Sequence, residues 1–254
     1  DFNNEYSNVN SLNRIHEHEY TFHCWINIKS IANDYQCIIS NGTTSLDNLS
    51  ENESLSLYLD KNTNDYSLKL NRIGSNDETI QLSSTNQIKL NKWYHVGFSR
   101  YNYDVINGLG NETHHRRNND NYHILYLNGK RQSQSNTQLT DNEFSSKNII
   151  IGGITNTINN LNGYMTGIKL LSEGLNETQI YNIYLEESKN NFISLNKYLS
   201  YEKQSSLLFW GFLYETTVLV NSKNIVDDIS INKNNLFLEN GATYNDDSII
   251  GNNS

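Results

Sequence analysis

Proline is absent from all 254 residues, so every turn must be made without its fixed φ, by Asn, Asp, Gly or Ser. Cysteine is limited to Cys24 and Cys37, too few for a thiolate zinc site. Cations are scarce as well: 19 Lys and Arg face 28 Asp and Glu, for a net charge of −9. A chain of that sign lacks the basic face that nucleic-acid phosphates require, and the polybasic segment that binds an anionic membrane. Long apolar runs are missing too. The best one, "SLLFWGFLY" at 206–214, stops at Glu215, well short of the ~20 residues of a membrane helix. Nucleic acid and direct membrane insertion are therefore excluded as expectations. Asp1 opens no signal peptide, so the chain reads as a mature protein or an excised piece whose targeting is unobservable.

What is present is bulky and strand-favouring. Hydrophobic residues make up only 36%, yet 17 Tyr, 8 Phe and 3 Trp are among the aromatics. Asn fills about one position in six, a load like that of proteins from AT-rich protozoan genomes. Alternation is the dominant pattern. In "TFHCWINIK" (21–29), Phe22, Cys24, Ile26 and Ile28 share one face, with His23, Trp25 and Asn27 opposite. Further strands are expected at 36–40, 53–59, 66–73, 78–84, 93–100, 122–129, 147–153 and 163–171. Asn, Asp, Gly and Ser clusters separate them, the pattern of an antiparallel sandwich. "NTND" (62–65) and "NGKR" (128–131) carry hairpin chemistry, Asn and Gly tolerating positive φ. One short helix is expected near 176–188, with Asn176 as N-cap and Gln179 closing a capping box. "FISLNKYLSYEK" (192–203) extends or follows it.

Cys24 and Cys37 lie on successive strands. If these neighbour one another a disulfide is within reach, and this is the favoured outcome. If they lie in sheets about 10 Å apart, two buried thiols remain. Sequons at Asn41, Asn48, Asn52, Asn111 and Asn176 give weak support for secretion, and a capping role would occupy Asn176. No Ser/His/Asp set and no Glu-x-Asp-x-x-Glu run is readable. Glu51 and Glu53 read as solvated strand-entry residues, and His16 and His18, a pair that could bind a metal, as part of an exposed polar segment before the first strand. The run Asp60–Asp65 lacks the Gly and Glu of a calcium loop at its sixth and twelfth positions, where Asp65 and Asn71 stand; a tight turn explains it. The acidic pairs Asp227/Asp228 and Asp246/Asp247 have no diagnostic spacing.

The elements "TFHCWINIK", "IISNG", "KWYHVGFSR", "LYLNGKRQ", "NIIIGG" and "NGYMTGIKLLSEGLNETQIYNIY" follow one another over about residues 20–186. In this order they resemble laminin-G-like, concanavalin-A-like lectin domains. The resemblance implies an all-β fold, a two-sheet antiparallel jelly-roll sandwich with one short helix. Trp25, Trp93, Phe98 and Leu125 are then expected between the sheets. Residues 206–254 resemble the opening strands of such a domain. They are expected to complete the sandwich of 1–205, with the start of a second repeat as the alternative. Where the family has a short loop, residues 101–121 form an insertion. It holds His114, His115, Arg116 and Arg117, a cationic cluster suited to an acidic glycan or protein surface. By analogy of fold, the chain is expected to be a non-catalytic, secreted or cell-surface adhesion module in a multidomain protein, binding a glycan or protein through rim loops. An architectural module packing against neighbouring domains is the alternative, and a glycan-acting hydrolase the weaker one. No cofactor is implied beyond a structural calcium left open, with no ligands assigned.

Overall fold

A computed structural model describes residues 20–30, 34–41, 54–74, 78–102, 121–137, 139, 149–154, 159–171, 174–189, 207–211, 225–226 and 236–237. The strands are β1 (Tyr20–Ile28), β2 (Tyr35–Asn41), β3 (Ser54–Lys61), β4 (Tyr66–Ile73), β5 (Thr79–Ile88), β6 (Trp93–Asn102) and β7 (Asn121–Leu127). They continue as β8 (Lys130–Ser135), β9 (Ile149–Ile151), β10 (Gly163–Leu171), β11 (Leu207–Gly211), β12 (Ile225–Val226) and β13 (Leu236–Phe237). Helix α1 (Glu177–Glu187) lies between β10 and β11. One sheet runs β11-β10-β1-β6-β7-β8 and the other β5-β4-β3-β2-β9; β12 and β13 form a separate ribbon. Pairing is antiparallel throughout, for instance between β1 and β10, β1 and β6, and β6 and β7. The two sheets make an antiparallel sandwich, as the alternation implied, of the concanavalin-A-like jelly-roll kind that the resemblance implied.

The expected inward faces close the core. Phe22, Cys24, Ile26 and Ile28 meet Leu57, Leu59, Leu68 and Leu70 of the other sheet. Phe98 is buried against Phe22, ring centroids 5.8 Å apart, and pairs in register with Leu125. Each such side chain contributes roughly 1.5–3 kcal/mol by leaving water. The "NG" signal is realised as a two-residue hairpin between β7 and β8. Asn128 has φ 51° and Gly129 φ 70°, which suits the right-handed strand twist. That turn returns the chain as β8, "KRQSQS", a polar edge strand without apolar alternation to announce it.

β1 departs from the half-buried strand that alternation implied, because all nine of its residues are buried. Its second face, Thr21, His23, Trp25 and Asn27, lies on the outside of the six-stranded sheet, where α1 covers most of it. α1 starts as expected: the Asn176 side chain accepts from the Gln179 backbone N–H, and Gln179 accepts from the Asn176 N–H. Leu175 N–H is tied to Thr21 Oγ1 at 2.8 Å. Ile180 and Ile183 fill a second small core with Tyr126 and Leu171.

Candidate functional site

Register builds the site. On the outer face of the six-stranded sheet, Asn27 of β1 pairs with Trp93 of β6 on one side and Tyr164 of β10 on the other. One row therefore holds an amide between two aromatic rings. Tyr164 is 37% exposed and Trp93 half-buried, while Asn27 is only 6% exposed. The Asn27 side-chain oxygen, Oδ1, is buried without a hydrogen-bond partner, which costs about 1–3 kcal/mol. Gly163 keeps β10 tight against β1 here, since a Cβ at that position would collide with the Asn27 carbonyl oxygen. At the rim, the Lys29 ammonium lies 5.1 Å from the Tyr164 ring centroid and donates to Asn91 Oδ1 at 3.2 Å. Such an exposed cation–π contact is worth about 0.5–1 kcal/mol, little for a ligand to displace.

The next rows along these strands are polar, sealed and tied to α1. Trp25 stacks on Tyr184 of α1, with centroids 5.6 Å apart and planes at 21°, and its indole N–H donates to Glu187 Oε2 at 2.8 Å. Glu187 Oε1 is ion-paired with Lys169 of β10, and both residues are buried. His95 Nε2 lies 3.8 Å from Glu187 Oε2 and 3.1 Å from His23 Nδ1. Burial, reinforced by the Lys169 charge, pushes the His95 pKa down to about 3 and holds His23 well below its usual value. The ligand atoms of His23, His95 and Glu187 fall within 4.8 Å of one another. The set does not fit a divalent ion, however. Both carboxylate oxygens are taken, and the Lys169 ammonium already supplies the cation that this pocket neutralises. It is a latch that holds α1 on the sheet and fixes Trp25 behind the exposed row.

A second buried polar group sits at the opposite end of the strands. Arg72 Nη1 donates to Tyr20 Oη at 2.5 Å and to His123 Nε2 at 2.9 Å. Arginine has no acceptor, so His123 Nε2 must accept, and burial together with Arg72 and Arg100 keeps that ring neutral.

Several expectations are corrected. Trp25 and Trp93 do not stand between the sheets: the alternation of β1 and β6 turns both outward, Trp25 beneath α1 and Trp93 at the exposed row. Cys24 and Cys37 are free, buried thiols. They belong to opposite sheets, Cys24 in the main core and Cys37 in a separate cluster with Tyr58 and Ile154, so the favoured disulfide does not form. Burial drives both thiol pKa values up, that of Cys37 to about 12. The sequon residue Asn41 is buried in β2. The Asp60–Asp65 run is the β3–β4 turn, with Asn62 N–H donating to Asp65 O at 2.8 Å and Asp60 facing Lys69 at 3.7 Å. His114, His115, Arg116 and Arg117 lie outside the described residues, as do His16, His18, Glu51, Glu53, the two acidic pairs and 192–203. The row itself went unforeseen, although its signal was present: the outward side of "TFHCWINIK" carries bulky His, Trp and Asn where a solvated face would be small and polar.

Comparison with known proteins sets this geometry in context. A family model described as the concanavalin A-like lectin/glucanases superfamily matches residues 1–181. A search of the curated proteins finds no match. Among solved structures, a candidate carbohydrate binding protein from Bacteroides ovatus superposes with a TM-score of 0.53 at 16% identity, covering 90% of this chain and 55% of that one. A heptameric SAP-like pentraxin from Limulus polyphemus gives 0.44 at 17% identity, covering 65% and 69%. The binding domain of botulinum neurotoxin serotype G gives 0.45 at 14%, covering 70% and 38%. The chain thus spans little more than half of the Bacteroides protein and under two-fifths of the neurotoxin domain. At these identities the likeness shows the fold alone.

Proposed function

Because the chain belongs to the concanavalin A-like lectin/glucanases superfamily, we infer that it is a non-catalytic recognition module whose Trp93–Asn27–Tyr164 row binds a glycan. The row carries this reading. Aromatic faces take the apolar C–H surface of a sugar ring, and Trp93 and Tyr164 stand in register on either side of β1. A rigid sheet holds all three residues in register, and the latch beneath α1 keeps Trp25 from collapsing into the row. Binding without cleavage fits the chemistry of this face. Glycoside hydrolysis needs two carboxyls about 5–9 Å apart, whereas Glu187, which reaches this face, is bound by Lys169 and Trp25. The same reading takes 1–205 and 206–254 as one sandwich, supported by the pairing of β11 with β10, and sets the module outside the cell or on its surface.

The test is an array of immobilised glycans probed with the intact chain and with Trp93→Ala, whose folding is checked by circular dichroism. Retention by the intact chain is expected, with at least a tenfold loss in the variant. A substitution at exposed Tyr181 on α1, Tyr181→Ser, is expected to leave binding unchanged. Failure of the intact chain to bind any glycan would remove this function and leave the architectural reading.

A further inference from the structure

Two of the five sequons, at Asn41 and Asn176, fall on described residues, and the fold separates them. We propose that Asn176 is an N-glycosylation site, its Nδ2 carrying an oligosaccharide while its Oδ1 caps α1. This rests on the module's place outside the cell in the reading above, and not on what the row binds. It reverses the expectation that capping occupies Asn176. Three observations converge on it.

The first is a division of the side-chain amide. The capping box uses Asn176 Oδ1, which accepts from Gln179 N–H at 3.0 Å, and the Asn176 backbone N–H, which donates to Gln179 Oε1 at 2.9 Å. Nδ2 makes neither of these bonds and is not sealed in the interior as an unpartnered atom. Because the amide is planar, an oxygen turned into the first turn of the helix turns the nitrogen away from it. Glycosylation uses only that nitrogen. A bond forms between Nδ2 and the anomeric carbon of a polyprenyl-diphosphate-linked oligosaccharide, and that carbon's bond to the phosphate oxygen breaks. The lipid diphosphate leaves with the bonding pair, and Nδ2 gives up one proton. The oxygen remains an acceptor, so cap and glycan coexist.

The second is exposure. Glu177 and Thr178, which complete the sequon, are exposed, and Asn176 is half-buried. Asn41 is only 5% exposed, and its strand is paired on both sides, with Leu55 of β3 and Ile149 of β9 opposite it. An oligosaccharide added before folding must still fit afterwards. On Asn41 it would be driven into a sheet; on Asn176 it meets water.

The third is position. α1 begins beside Thr21, whose Oγ1 accepts from Leu175 N–H, and ends beside Trp25, whose indole N–H donates to Glu187. Asn27 stands further along β1, roughly 20 Å from Thr21 at the rise of a strand. The glycan therefore sits at the far end of this face and leaves Trp93 and Tyr164 clear. Its base stands beside β8, since Glu177 Oε2 lies 3.7 Å from Arg131 Nε. β8 ends the six-stranded sheet, and a hydrated sugar chain there hinders pairing with a strand of another molecule.

The test secretes the intact chain from a eukaryotic cell line behind a cleavable leader and maps its glycopeptides by mass spectrometry, in the cells and in the medium. The Asn176 peptide is expected to be occupied in most molecules and the Asn41 peptide in few. Thr178→Ala and Asn176→Asp are each expected to lose one glycan. Asn176→Asp keeps a side-chain oxygen for the cap, so its urea midpoint is expected to match that of the enzymatically deglycosylated parent. That match separates loss of the acceptor nitrogen from loss of the cap. An Asn176 peptide without sugar in a chain that reaches the medium overturns the inference and leaves the extracellular reading standing. Equal occupancy of Asn41 and Asn176 in folded, secreted chain overturns it as well, because the fold then selects nothing. A chain occupied at Asn176 yet retained in the cell upholds the site and counts against the extracellular reading.

Discussion

Glu187 accepts from two directions at once, the Lys169 ammonium and the Trp25 indole N–H, with His95 Nε2 3.8 Å away. A buried ion pair adds little compared with an apolar pair of the same shape, but removing one partner strands a charge in a medium of low polarity. Glu187→Gln is therefore expected to lower unfolding free energy by about 3–5 kcal/mol, read from urea denaturation. The double variant Lys169→Met with Glu187→Gln is expected to recover a large part of that loss, because no unpaired ammonium remains. A single variant within 1 kcal/mol of the parent would show that the latch is open to water and contributes nothing. The same residue scale explains the hairpin: Gly129 has φ 70°, and a Cβ there would sit 2.8 Å from Tyr184 Cβ, so it serves turn and helix packing together.

At the scale of elements, β1, β6 and β7 each bury a histidine: His23, His95 and His123. All three pKa values are pushed below the ordinary value of 6.5, by burial first and by neighbouring cations second. The sign follows from which state takes protons. Above pH 6.5 neither state is protonated and the rings cost nothing. As pH falls below 6.5 the unfolded chain binds protons that the folded chain refuses, so stability declines until the folded values are reached, about 3 for His95. Each ring is expected to remove up to about 1.4 kcal/mol per pH unit in that window. Urea denaturation at pH 7, 6 and 5, above the range where ordinary carboxylates titrate, checks this, with His95→Gln expected to flatten the slope. A free energy constant from pH 7 to 5 would mean that the rings titrate in the fold as they do in the unfolded chain.

At the scale of the whole molecule, the six-stranded sheet ends at β11, which pairs with β10 through Ile168, Lys169, Leu170 and Leu171. If the tail belongs to the same sandwich, a chain ending at residue 205 leaves the β10 edge unpaired next to the latch residue Lys169. That chain is expected to unfold at clearly lower denaturant than the full chain, and to associate through the bare edge. A chain unfolding at the same midpoint after truncation would make 206–254 the start of a separate unit.

The strands, their antiparallel order, the capping box of α1 and the Asn128–Gly129 turn were legible from the sequence, because each depends on local chemistry: two-residue alternation, a side-chain cap, a residue that accepts positive φ. Which strands neighbour one another was not legible. That unknown misplaced the tryptophans and favoured a disulfide between strands of opposite sheets. Period two says that His23, Trp25 and Asn27 share a face, yet it cannot say whether water or a helix lies on that face. α1 arrives there from some 150 residues away. Only packing could bring Glu187 to Lys169 and Trp25, and set Asn27 between the Trp93 and Tyr164 rings on the outer face.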